Sequence, residues 1–122
     1  MANEIKMSAS LAISTTNFTE QFSPGTINAD LASQVGAGGV QAIATSDTEV
    51  VNGSTTDGGV YYVRNLDETN YVEVGSKFGT GTAYYFLKLL PGEFSIGRLS
   101  ESDIWAKANT ATVNLQFRLL SP

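Results

Sequence analysis

The chain has 122 residues, a net charge of −5 from 12 acidic and 7 basic residues, and neither cysteine nor histidine. This length fits one domain with a core of its own. The missing residue types exclude a disulfide scaffold, a thiolate metal site, and acyl transfer by a Ser-His or Cys-His pair. The seven basic residues are scattered along the sequence, which argues against binding to nucleic acid.

No apolar stretch approaches the ~20 residues of a membrane helix, so we expect no membrane association. The first residues also lack the basic start and apolar core of a signal peptide, which predicts synthesis in a cytoplasm. Gly, Ser and Thr are abundant, whereas charged residues make up only 16% of the chain. This composition is typical of an all-β domain with many turns.

The clearest alternation of apolar and polar residues lies near the start of the chain. Its apolar positions are Ile5, Met7, Ala9, Leu11 and Ile13. The pattern predicts a half-buried first strand. The alternative is an arm that adds a strand to a neighbouring subunit. Residues 1–16 are therefore assigned as an N-terminal strand or arm, and residues 17–122 as the remaining domain.

The next segment mixes aromatic residues with turns and glycine. We expect Phe18 and Phe22 to pack at one end of the core, with contact to a partner as the alternative. Residues 30–39 are small and rich in glycine, which predicts a flexible connection and not a helix. Short strands are expected at residues 40–44 and 48–51.

The segment Val60–Gly75 resembles a β-hairpin, because two runs rich in Val and Tyr flank a polar loop. Pairing Val63 with Val72 across it would place an apolar face on the core. The opposite face would then bring Arg64 opposite Tyr71, where a cation–π contact is possible.

The most apolar run of the chain is Thr82–Leu90, and Pro91-Gly92 ends it abruptly. Its aliphatic and aromatic content predicts a central strand. The better core face of that strand consists of Ala83, Tyr85, Leu87 and Leu89. Tyr84 and Phe86 would then be exposed, which makes them a candidate surface for a partner.

The C-terminal part of the chain returns to alternating patterns. Residues 93–99 and 113–119 predict two strands, the second with strict alternation. Residues 100–107 could begin with one helical turn capped by Ser100. Trp105 is expected at the edge of the core, with a ligand platform as the alternative. About eight short strands result, so we predict a single antiparallel β-sandwich or jelly-roll-like domain.

Carboxylates are the only strong candidates for acid–base chemistry in this sequence. The closest pairs are Asp67 with Glu68 and Glu101 with Asp103. The first pair is better explained by a solvated turn, and neither has the apolar surroundings that would raise one pKa. Asp57-Gly58-Gly59 is too short for a calcium loop. We therefore predict a protein that is not an enzyme, with no catalytic, metal-binding or cofactor-binding residues and no cofactor.

Three segments of the second half, VYYVRNLDETNYVEVG, FLKLLPGE and AKANTATVNLQF, resemble small structural proteins of tailed bacteriophages, often of the capsid decoration (cement) type. The matching positions of the first segment are Arg64, Asn65, Leu66, Asp67, Asn70, Val72 and Val74. The later matching positions are Leu87, Leu89, Gly92, Glu93, Ala106, Lys107, Ala108, Ala111, Val113 and Leu115. These positions are turn and strand signatures, so the resemblance concerns a fold more than an activity.

The resemblance implies a non-enzymatic β-sandwich protein of the virion, made in a bacterial host. Its expected partners are the major capsid protein or other virion proteins, bound as a homo-oligomer of two or three copies. The candidate interface consists of Ile5, Met7, Leu11, Ile13, Phe18, Phe22, Tyr84, Phe86 and Trp105. Two alternatives stay open: a neck, tail or head-fibre component, and a carbohydrate-binding module that stacks sugars on Trp105, Tyr61 or Tyr84.

Overall fold

The computed structural model describes residues 4–30, 36–50, 59–77, 81–99 and 103–120. Within these residues the chain forms twelve β-strands, all paired antiparallel, and no helix that could cross a membrane. The all-β prediction is confirmed, whereas the expected eight strands are too few for the whole chain. The chain divides into two compact units, Met1–Ala32 and Ser33–Pro122.

Four strands belong to the first unit: β1 (Ile5–Met7), β2 (Leu11–Ser14), β3 (Thr19–Phe22) and β4 (Ile27–Ala29). Strand β1 pairs with β4 and β2 pairs with β3, so residues 4–30 form a two-stranded ribbon with one reversal. Residues 23–26, with Pro24 and Gly25 at a φ of 75°, separate the two ladders because this backbone cannot continue a strand.

The ribbon changes two expectations about the N-terminus. The alternating run from Ile5 to Ile13 is not one strand, because Ala9 lies in the break between β1 and β2. The strands of residues 1–16 also pair with β3 and β4, whereas the predicted boundary followed residue 16. The division between the compact units therefore follows Ala32.

Eight strands belong to the second unit: β5 (Gly36–Ile43), β6 (Thr48–Val50), β7 (Val60–Asn65), β8 (Val72–Lys77), β9 (Ala83–Leu89), β10 (Phe94–Arg98), β11 (Ile104–Ala108) and β12 (Val113–Leu120). The first sheet has the order β10-β7-β12-β5 and the second β6-β11-β8-β9. The chain changes sheet at every connection except the one between β8 and β9. This winding is that of a jelly roll, as predicted.

The core of the sandwich takes apolar side chains from the facing surfaces of both sheets. It consists of Ile43, Val50, Val63, Val72, Val74, Leu89, Ile104, Ala106, Ala108, Val113, Leu115, Phe117 and Leu119. Strand β12 carries the alternation expected of it, with four inward residues from Val113 to Leu119 buried. Burial of this apolar surface is the main term that stabilises the unit.

The predicted hairpin over Val60–Gly75 is wrong, because β7 and β8 lie in different sheets. Val63 and Val72 are both buried in the core, but they come from different sheets and do not pair along one ladder. The neighbours of Arg64 are Phe94 and Gln116, and not Tyr71. The cation near the Tyr71 ring is Lys88, whose Nζ lies 4.2 Å from the ring centroid.

The arch between β7 and β8 depends on the buried amide of Asn65. Its Nδ2 donates to the carbonyl oxygens of Asn70 at 2.9 Å and of Leu89 at 3.0 Å, and its Oδ1 accepts the Asp67 N–H at 2.8 Å. These bonds satisfy backbone groups that a hairpin ladder would otherwise pair. Asn65 thereby ties the arch to the end of β9.

Three further expectations need correction or fall outside the described residues. Residues 36–39 do not form a flexible connection but begin strand β5, which pairs along its whole length with β12. The helical turn expected to begin at Ser100 falls mostly outside the described residues, and residues 104–107 lie in strand β11. The expected loop at residues 52–59, including Asp57, lies almost wholly outside the described part of the chain.

Candidate functional site

Several exposed apolar side chains lie on or next to β9 and β10, which are edge strands of the two sheets of the jelly roll. Tyr84 is 70% exposed, Phe86 61% and Phe94 52%, and Leu90 follows β9. We call these four residues the edge surface. The exposure of Tyr84 and Phe86 was predicted from the sequence and is confirmed. Between the two strands runs an open groove lined by Leu87, Lys88, Leu89, Gly92, Glu93, Phe94 and Ser95.

A β-bulge shapes β9 at this surface. Val74 pairs with Leu87 but Gly75 pairs with Tyr85, so Phe86 is an extra residue with no cross-strand partner. A Cβ on Gly75 would collide with the Tyr84 carbonyl oxygen, so only glycine permits this close approach of β9. In a regular strand Tyr85 and Leu87 would face the same side of the sheet. Because of the bulge they face opposite sides.

Trp105 lies away from the edge surface, on the outer face of the second sheet. Its strand neighbours Ile104 and Ala106 are buried in the core, so Trp105 points outward and is half-buried. Lys77 Nζ lies 4.4 Å from the centroid of its ring, and Trp105 Nε1 is buried without a hydrogen-bond partner. The structure therefore does not bring Trp105 together with Tyr84 and Phe86.

The aromatic residue that shares the outer face with Trp105 is Tyr85, because both pair with Gly75. Tyr85 was expected in the core, and the bulge accounts for the difference. Its hydroxyl donates to Asp47 Oδ1 at 2.7 Å. Burial and the adjacent Asp47 carboxylate raise the pKa of Tyr85 well above its ordinary value, so the hydroxyl stays protonated.

The ribbon of the first unit carries a second apolar surface. Leu11 is 58% exposed and pairs across the ladder with Phe22, which is 54% exposed. Phe18 and Ile27 are also about half exposed. We call these four residues the ribbon surface. The expectation that Phe18 and Phe22 pack in the core is wrong, because a two-stranded ribbon has no second layer to cover them.

The other interface candidates of the first unit are less exposed. Ile5 is buried, and Met7 and Ile13 are half-buried. The turn at the tip of the ribbon holds Phe18 outward. Thr15 Oγ1 accepts the Phe18 N–H and donates to the Phe18 carbonyl oxygen, both at 3.0 Å.

The carboxylate pairs considered for catalysis do not form an acid–base site among the described residues. Asp67 Oδ2 accepts the N–H groups of Asn70 at 2.6 Å and of Thr69 at 2.9 Å. These bonds lower the pKa of Asp67, whereas a general acid needs a raised pKa. Glu101 lies outside the described residues. Among the described residues no group of three or more Asp or Glu side chains is placed to hold a metal ion.

Comparison with protein-family models, with curated proteins and with solved structures found no match for this chain.

Proposed function

We propose that the chain is a non-enzymatic structural protein of a bacteriophage virion, of the decoration type that binds the exterior of the capsid shell. The observation that carries the proposal is the edge surface, where Tyr84 and Phe86 expose most of their rings to solvent. Exposed aromatic clusters at free sheet edges are typical of protein contacts. The sequence resemblance to decoration proteins and the jelly-roll winding, which is common in viral capsid proteins, support it.

The available area suits a protein contact of moderate strength. An aromatic side chain offers roughly 150–250 Å². At their observed exposures Tyr84, Phe86 and Phe94 together offer about 400 Å² of apolar surface, roughly half of the ~800 Å² per partner of a stable interface. The ribbon surface lies on the other compact unit and adds a separate area of the same kind. Two such surfaces would allow one chain to contact two shell subunits.

With two binding surfaces, the chain would stabilise the shell by linking neighbouring subunits. A chain that binds two neighbouring shell subunits adds its contact free energy to the barrier for separating them. The second contact forms at a high effective concentration once the first has formed, so two weak contacts together hold firmly. Closed homo-oligomers of two or three copies would multiply the number of contacts further.

Rebinding to stripped phage heads tests the proposal. Virions banded from lysates of the strain that encodes the chain should contain it, and heads stripped of it should rebind the purified protein. We expect Tyr84→Ser/Phe86→Ser to lose most of this binding. Leu66→Ser is the control, since Leu66 is 41% exposed but lies in the arch after β7 and not in the edge surface.

The outcomes separate the candidate functions. Banded virions without the chain, or full rebinding by the double variant, would reject the proposal as stated. Retention of the chain on a glycan array, abolished by Tyr84→Ser, would favour the carbohydrate-binding alternative instead.

The ribbon is tested by deleting the whole of residues 1–30. A shorter deletion is unsuitable, because removal of β1 and β2 would leave β3 and β4 without partners. We expect weaker binding to stripped heads. Unchanged binding by a deletion variant that retains its β-sheet circular dichroism would show that the ribbon does not contact the shell.

A further inference from the structure

The outer face of the first sheet differs in charge from the rest of the molecule. On β12 the buried residues Leu115 and Phe117 alternate with Gln116 and Arg118, which point outward. The register then places Arg64 beside Gln116, and Tyr62 beside Arg118, on the same face. None of the outward positions on β5, β7, β10 and β12 is Asp or Glu, although the chain carries a net charge of −5.

The part of this surface around Tyr62, which we call the arginine face, consists of Val40, Tyr62, Arg64, Phe94, Gln116 and Arg118. Its two arginines are diagonal neighbours on adjacent strands. The Cβ atoms of such neighbours lie roughly 7 Å apart. Among the described residues no carboxylate forms an ion pair with either one. The two guanidinium groups extend in different directions, Arg64 toward Gly92 and Arg118 over Gly38, so each is a separate site for an anion.

The second sheet shows the opposite arrangement and serves as an internal comparison. Its outward lysines Lys88 and Lys107 both stand directly opposite Glu73, which lies between them on β8. Cations and carboxylates therefore alternate on that face. The absence of acidic positions is a property of the first sheet and not of the whole fold.

Both arginines are held in place by local structure. Arg64 Nε donates to the Gly92 carbonyl oxygen at 3.1 Å, which leaves its two terminal amino groups as donors. The Arg118 guanidinium lies over Gly38, where a Cβ would approach it to 2.7 Å. Tyr62 stacks beside Phe94 with 6.4 Å between ring centroids. Ordered guanidinium groups lose less entropy when they bind a planar anion.

The face contains two shallow depressions that share Tyr62 as a common wall. One is lined by Val40, Gln116 and Arg118, the other by Arg64, Gly92 and Phe94. Each depression thus combines one arginine with one exposed apolar side chain. This pairing matches a carboxylate side chain together with the aliphatic atoms that carry it.

We propose that the arginine face binds an acidic protein segment in an extended conformation, with one carboxylate in each depression. A protein is favoured over a nucleic acid because the outward positions of the first sheet carry three arginines, of which only Arg64 and Arg118 are neighbours, and the remaining charge of the chain repels a polyphosphate. The inference shares Phe94 with the edge surface but does not require the virion proposal, since it rests on the charges and register of the first sheet.

Fluorescence anisotropy with a labelled oligo-glutamate decapeptide tests the proposal on the full chain. Measurements at about 20 mM salt, where screening is weak, should show saturable binding that weakens at about 150 mM salt. We expect Arg64→Gln/Arg118→Gln to weaken binding about tenfold or more. Lys88→Gln/Lys107→Gln, which lowers the net charge by the same two units on the other sheet, should change it less than about twofold.

Every other outcome overturns the proposal. Equal losses in the two double variants would mean that only the net charge matters. Tighter binding of a thymidine decanucleotide than of the glutamate peptide would point to phosphate recognition. A dissociation constant weaker than about 1 mM at low salt would show that the face does not bind such segments. All four substituted residues are exposed, so each variant is expected to fold, which circular dichroism would check.

Discussion

The ribbon and the jelly roll use the same antiparallel pairing but differ in what their side chains pack against. In the jelly roll, thirteen apolar residues from two sheets form one buried core. In the ribbon, four large apolar residues remain about half exposed. Strand pairing alone therefore does not create a hydrophobic core, because a sheet needs a second layer to bury its apolar face.

Among the substitutions considered, Gly75→Val in the jelly roll should lower the free energy of unfolding most. The new side chain would collide with the backbone of β9 at Tyr84, which cannot move without breaking the ladder between β8 and β9. We expect the free energy of unfolding in urea to fall by about 4 kcal/mol or more. Gly25→Ala in the ribbon is the control. It strains a positive φ but meets no neighbouring atom, and should cost only about 1 kcal/mol.

A matched pair of leucine truncations measures the difference between the units directly. Leu115 is fully buried, so Leu115→Ala should lower the free energy of unfolding by about 3 kcal/mol. Leu11→Ala removes the same atoms from an exposed position and should cost less than about 0.5 kcal/mol. Equal losses in urea unfolding would mean that the ribbon contributes to stability as the core does.

Removal of the buried Asn65 amide should cause the next largest loss in the free energy of unfolding. Asn65→Ala leaves the Asp67 N–H and two carbonyl oxygens without their partner, and should lower the free energy of unfolding by about 2 kcal/mol. Asn114→Ala, at an exposed position of β12, is the control and should be nearly neutral. A neutral Asn65→Ala would show that the arch does not depend on this side chain.

The smallest expected effect is a pH dependence at Asp67. Because its folded-state pKa lies below the ordinary value of 3.8, its contribution to stability is present above that pH and is lost as pH falls below it. Asp67→Asn should therefore be less stable than the native chain at neutral pH, with the difference shrinking on acidification. Urea titrations across this range measure it, with Glu68→Gln as control, and a constant difference would contradict the assignment.

Much of the fold could be predicted from period-two patterns. The strict alternation from Val113 to Leu119 identified the inward face of β12, because one side of that strand meets the core. The same rule was less informative at the N-terminus, where Ile5 to Ile13 alternate as clearly but Ile5 is buried while Leu11 is 58% exposed. Alternation reports which residues share a face, and it does not report whether anything packs on that face.

The connection after β7 could not be assigned from sequence. A short polar loop bounded by asparagines fits either a hairpin or an arch, and the choice depends on which strands occupy the neighbouring positions. Here β7 pairs with β10 and β12, which are distant in sequence. The glycine content of residues 36–39 predicted a flexible connection, because the pairing of β5 with the distant strand β12 could not be inferred from the sequence. Gly38 lies in a strand and leaves room for Arg118.

The candidate interface was partly predictable for the same reasons. The exposure of Tyr84 and Phe86 was predicted from the alternation in β9, but the bulge changes the register there, and Tyr84 pairs with the buried Ser76 and is exposed on an edge strand. Gly75 was the only local sign of that bulge. The arginine face could not be seen in sequence, because Arg64 and Arg118 are far apart in the chain and become neighbours only through the pairing of β7 with β12.

The position of β12 has a consequence for the order of events during synthesis. This strand lies between β7 and β5, so the first sheet has no continuous ladder until residues 113–120 have left the ribosome. Before that moment β7 can pair with β10, but β5 has no strand to pair with in its sheet. The first sheet can therefore be completed only after translation has passed β12.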